Sequence, residues 1–72
     1  MNSADLVHMA NQIGHYFQAY GTDEAVAGIH THVLRFWHPE LRLQLIALAA
    51  HDDTALLHTV RRAALRLREP NS

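Results

Sequence analysis

The sequence predicts an all-α protein, a compact bundle of about four short helices with no sheet. Three observations predict it. Apolar residues recur every three or four positions in four successive segments, the period of a helix with one covered face. No stretch alternates apolar and polar with the period of two that a half-buried strand shows. Gly21, Pro39 and the Asp52-Asp53 pair divide the segments, and such residues are the usual punctuation between elements. At 72 residues the chain makes one helical domain, 1–72, with helices expected over about 4–20, 23–37, 39–50 and 53–68.

The first helix has Asn2 or Ser3 as its cap. Leu6, Met9, Ile13, Phe17 and Tyr20 form its stripe, and His8, Asn11 and His15 point away from it. Gly21 suits the C-terminal stop. Thr22 is the expected cap of the second helix, with Asp23 and Glu24 in the first turn, where the helix dipole favours negative charge. Val26, Ile29, Val33 and Phe36 make its stripe, with Trp37 beside it. Gly28 inside this helix costs about 1 kcal/mol relative to alanine; it is either a place where another backbone comes close or a tolerated defect. Pro39 pushes His38 out of helical geometry and suits the first position of the third helix. There Leu41, Leu45 and Leu48 form one stripe while Leu43 and Ile46 lie on the other side. A helix apolar on more than one face is central or meets another chain. Asp52 and Asp53 open the fourth helix, whose stripe is Leu57, Val60, Ala64 and Leu67. Arg61, Arg62, Arg66 and Arg68 cover its other faces and its last turn.

A chain this short buries only about 60% of the surface its unfolded form exposes. Its core is therefore marginal unless a partner adds to it. The chain is nevertheless 49% hydrophobic, and surplus apolar area on a small domain often marks an interface. The alternative is a densely filled bundle core. With no cysteine, a disulfide framework, a thiolate zinc site and a cysteine-ligated iron–sulfur cluster are excluded. Residues 1–20 lack a basic stretch followed by a continuous apolar run, so no signal peptide is expected. The longest apolar run, 45–50, is too short to span a bilayer. The expected location is the cytoplasm, with no membrane partner.

Charge is uneven. Residues 1–34 hold Asp5, Asp23 and Glu24 with no Arg or Lys, a net −3, whereas residues 35–72 hold six Arg against Glu40, Asp52, Asp53 and Glu69, a net +2. The imbalance is too mild to indicate nucleic acid. The arginine-rich fourth helix reads more simply as a solvated face with ion pairs to the acidic first half.

Seven histidines invite a metal site, but two ligands on one helix face need a spacing of three or four, and no two histidines have it. His30 and His32 lie roughly 160° apart around a helix. No metal, catalytic or cofactor-binding residue is assigned. Ser3 and Ser72 sit at the ends, the threonines read as caps and helix-surface residues, and no glycine-rich phosphate loop occurs. The segment Arg35-Phe36-Trp37-His38-Pro39 remains, two large aromatics and a guanidinium at a proline corner. Aromatic and arginine side chains are the usual anchors of interfaces. On physical grounds Phe36 belongs to the core, and Trp37 suits either role.

Those residues carry a resemblance. Leu6-Val7-His8-Met9-Ala10-Asn11-Gln12-Ile13, then Glu24-Ala25-Val26-Ala27-Gly28-Ile29, then His32, and Arg35-Phe36-Trp37-His38-Pro39 with Leu41-Arg42 resemble the delta subunit family of NAD-dependent formate dehydrogenases over roughly residues 5–50. Leu41 stands where the family carries methionine, a swap that conserves volume. The resemblance implies a complex that oxidises formate to CO2. Its catalytic (alpha) subunit holds molybdenum or tungsten on bis-molybdopterin guanine dinucleotide together with iron–sulfur clusters, and flavin and iron–sulfur subunits pass electrons through FMN to NAD. The delta subunit supplies none of these groups and supports assembly of the active enzyme. A non-catalytic docking role follows from the resemblance, with Asn11, Gln12, His32, Arg35, Trp37, Pro39 and Arg42 as the expected partner-binding set. The rival reading is an unrelated helical adaptor or a self-associating module, and a homo-oligomer of the isolated chain is open.

Overall fold

The computed structural model describes residues 2–51 and 55–68. It contains α1 (Ser3–Tyr16), a 3-10 turn (Phe17–Ala19), α2 (Thr22–Phe36), α3 (Pro39–Ala49) and α4 (His58–Leu67), and no strand among the described residues. The Cα radius of gyration is 10.8 Å, against about 11 Å for a compact chain of this length.

Local chemistry accounts for most helix ends. Asn2 is extended, and its Oδ1 accepts from the Asp5 amide at 2.9 Å, satisfying one of the donors that a helix start leaves unpaired. The α-helix stops at Tyr16, earlier than the expected Tyr20, and tightens into the 3-10 turn. Phe17 here lies against α2: a Cβ built on Gly28 would sit 2.8 Å from Phe17 Cδ1 and Cζ. A ring, rather than a backbone, is what Gly28 admits. Tyr16 meets the Phe17 ring edge-on at 5.0 Å. Gly21 corrects the expected left-handed stop. It is extended (φ −61°, ψ 159°) and is the N-cap of α2, which makes Thr22 the first helical residue rather than the cap. Tyr20 has already left helical geometry at ψ 162°, so the turn needs no left-handed residue.

His38 is extended at ψ 142°, Pro39 opens α3, and His38 Nδ1 accepts from the Glu40 amide at 3.3 Å. The fourth helix, expected from residue 53, begins at His58. Asp52 and Asp53 lie outside the described residues, and 55–57 are not helical. A long-range hydrogen-bond pair holds that stretch. Asn11 Nδ2 donates to the Ala55 carbonyl and Asn11 Oδ1 accepts from the Leu57 amide, both at 2.9 Å. With its carbonyl and amide engaged by a side chain, this backbone has an alternative to the helical pattern.

The core is made of small and medium side chains. Leu6, Ala10, Ala25, Val26, Ile29, Val33, Leu45, Ala49, Val60, Ala63 and Ala64 are buried. α2 packs most extensively on α4 and α3 lies on α4. The buried line of α1 is Leu6, Ala10 and Gly14, rotated from the expected stripe, with Met9, Ile13 and Phe17 half-buried and Tyr20 exposed. Gly14 explains the rotation. A Cβ there would meet Val60 Cγ2 at 2.7 Å and Leu57 Cδ1 at 2.9 Å, so α4 seats against a bare backbone.

Candidate partner-binding surface

The corner between α2 and α3 is built by three devices. Trp37 ends α2, its amide donating to the Val33 carbonyl at 3.0 Å, while its ring is half-buried against the core. Pro39 starts α3. Arg42, one turn into α3, reaches back and donates from Nη1 to the Leu34 carbonyl at 2.8 Å, satisfying one of the carbonyls a helix end leaves free. α3 is finished the same way: Arg61 Nε donates to the Ala49 carbonyl at 2.9 Å. Two arginines thus serve as ties between consecutive helices.

Three large apolar side chains of the corner are exposed, among the exposed Arg35, His38 and Glu40. Phe36 is 70% exposed, Leu43 67% and Leu34 40%. This reverses the expected core role of Phe36. Val33, Phe36 and Trp37 are three and four residues apart, so either aromatic suits the stripe by spacing alone. Packing selects Trp37 for the interior and leaves Phe36 outside, flanked by the His32 ring at 5.0 Å and by the Arg35 guanidinium 5.8 Å from its centroid. Elsewhere on the corner Leu34, Pro39, Arg42, Leu43, Ile46 and Leu67 line an open groove of about 270 Å3.

The seven expected contact residues do not form one cluster. His32, Arg35, Trp37, Pro39 and Arg42 belong to the corner, with Trp37 turned inward and Arg42 engaged in the fold. Asn11 is spent on the 55–57 connection and borders a separate depression with Val7, His8 and Leu48. Gln12 is exposed, with Nε2 at 3.3 Å from His8 Nε2. Phe36, Leu43 and Leu34 are the residues that sequence reasoning missed. The signal for Leu43 was present in the second apolar face of α3; for Phe36 it was its place in the aromatic and arginine segment 35–39, outweighed by its fit to the α2 stripe.

The chain has no cysteine, and among the described residues no three His, Asp or Glu side chains converge as a ligand set. The arginine face of α4 carries an ion pair to the acidic half, Arg62 Nη2 to Asp23 Oδ1 at 3.7 Å, between side chains 45% and 96% exposed. No helix is long and apolar enough to cross a membrane among the described residues.

Comparison with known proteins decides the family. The model of the NADH-dependent formate dehydrogenase delta subunit family, FdsD, matches residues 5–64. The chain belongs to this family. The match runs past the expected 5–50 and takes in the Asn11-bound connection and most of α4. No curated protein and no solved structure matches the chain. Membership makes it part of a formate dehydrogenase system and associates it with that complex.

Proposed function

We propose that this chain is a non-catalytic subunit or assembly factor of a cytoplasmic NAD-dependent formate dehydrogenase. It docks on the catalytic subunit, whose molybdenum or tungsten centre it does not itself ligate, and favours the cofactor-loaded conformation by binding that state preferentially. The observation that carries the reading is the α2–α3 corner, where a family member with a small core leaves Phe36 and Leu43 largely exposed. His32, Arg35 and Pro39 of the expected set form the direct contact there, and Gln12 forms a lesser one on α1. Asn11, Trp37 and Arg42 act chiefly by holding the helices in place, as their hydrogen bonds and burial indicate.

The test is capture of tagged chain from an extract that expresses the complex, with formate-dependent NAD reduction measured on the eluate. Co-elution of the catalytic subunit with activity is expected, and its loss in the Arg35→Ala and Phe36→Ala variants. Undiminished binding and activation by folded forms of both variants would remove the corner from the assignment. Elution of the chain alone while the catalytic subunit is present would remove the docking role.

A further inference from the structure

Residues 55–57 lie between two competing arrangements. Their sequence suits a helix. Ala55, Leu56 and Leu57 are good helix formers, and Leu57 continues the stripe of Val60, Ala64 and Leu67. The acidic pair Asp52-Asp53 precedes them in sequence, the charge that favours a helix start. Lengthening a helix that already exists needs no new nucleus. Yet the three residues are not helical. α4 begins instead after Leu57, an N-cap whose side chain makes no capping hydrogen bond, at a position where Ser, Thr, Asp or Asn is preferred. A start this poor needs a reason outside α4.

The reason is on α1. The one side-chain amide of Asn11 engages both ends of the stretch, donating to the Ala55 carbonyl and accepting from the Leu57 amide. The first of these bonds is exposed and the second partly buried. Hydrogen bonds that compete with water contribute modestly in net terms, so this hold is of the same order as the helical preference it opposes. We propose that Asn11 is a latch and residues 55–57 a two-state strap. Bound to Asn11, the strap is non-helical and α4 starts at His58; released, it joins α4 as an added turn. Leu57 packs over Gly14 in the latched state, its Cδ1 2.9 Å from where a Cβ would stand, so release also alters the contact between α1 and α4. Asn11 and Ala55 line one open depression with Val7, His8 and Leu48, and the two states therefore present different surfaces there. The proposal is independent of the docking role given above.

The experiment is NMR and native-state hydrogen exchange on the full chain. In wild type the Leu57 amide is expected to exchange at least about tenfold faster than the Ala64 amide, through a local opening that added denaturant does not promote. Asn11→Ala is expected to move the Cα chemical shifts of residues 55–57 to helical values and to raise the helical signal in circular dichroism. Its Leu57 amide should exchange faster still, because amides in a first turn have no intrahelical acceptor. Asn11→Asp keeps an acceptor for the Leu57 amide but, when ionised, has no donor for the Ala55 carbonyl, and is expected to fall between the two. An asparagine that serves as packing alone would lower the melting temperature without adding helix. Residues 55–57 that stay non-helical in a folded Asn11→Ala or Asn11→Asp chain would overturn the proposal. So would a wild-type Leu57 amide that exchanges only with the slowest core amides, a result that can be read even where a variant does not fold.

Discussion

The helix seam around α4 and the corner between α2 and α3 handle apolar side chains in opposite ways. At the seam the contacts are made by the smallest residues available: Ala10, Gly14, Ala25, Ala63 and Ala64 are buried, and Gly14 leaves room for Val60 and Leu57. At the corner large residues face outward, Phe36 at 70% and Leu43 at 67% exposure. The largest fully buried side chains are aliphatic: Leu6, Ile29, Leu45, Val33 and Val60. A protein shaped for life alone would bring its bulky apolar residues inside, since burial of such a side chain is worth about 1.5–3 kcal/mol. Close backbone approach at one end and exposed bulk at the other fit a chain whose stability and contacts are divided between its own seam and a partner.

Substitutions on the two sides should separate these roles. The largest loss is expected at the centre of the seam. Ile29→Ala, at a site 1% exposed, should cost about 2–5 kcal/mol. A chain of this length has roughly 0.1 kcal/mol of stability per residue to begin with, so the variant should melt far below wild type or be unfolded by chemical denaturation at ambient temperature. Next comes Asn11→Ala, which removes both bonds to the 55–57 connection. A loss of about 1–3 kcal/mol is expected from the stranded backbone groups, with faster amide hydrogen exchange at Leu57 as its local signature. Gly14→Ala sharpens the argument from close approach. Helix propensity alone would stabilise it by about 1 kcal/mol, but overpacking against Val60 and Leu57 opposes that gain by about 1–3 kcal/mol, so a lower melting temperature is expected; a rise would show that the seam has slack. The smallest effect on stability is expected at the corner. Phe36→Ala should leave the denaturation midpoint within about 0.5 kcal/mol of wild type while reducing capture of the catalytic subunit. A large loss of stability there would return Phe36 to the core.

Asn11 shows where reading by pattern stopped. Its place off the α1 stripe and its membership of a matched motif made it an expected partner contact. Its side chain instead closes an internal hydrogen-bond pair with residues more than forty positions away. No periodicity reveals such a bond. Arg42 is a related case, since a surface-looking arginine on α3 turns out to finish α2. Phe36 and Trp37 are adjacent and equally apolar, so only the surface available for each to pack against could rank them, and that surface belongs to other helices.

Determined by the sequence alone were the helical class with its four helices, a capped start of α1 at Asn2 or Ser3, the proline start of α3 and the family. These depend on interactions within one or two helical turns, or on motifs that survive being read in a line. The tertiary structure decided which meridian of α1 is buried, that Gly21 starts a helix instead of ending one, that α4 waits until His58, and which of the two adjacent aromatics is left exposed. The physical reason is common to all four. Each depends on what a neighbouring helix offers in space, and a chain of alanines, leucines and two glycines inside helices allows several near-equivalent packings until their backbones meet.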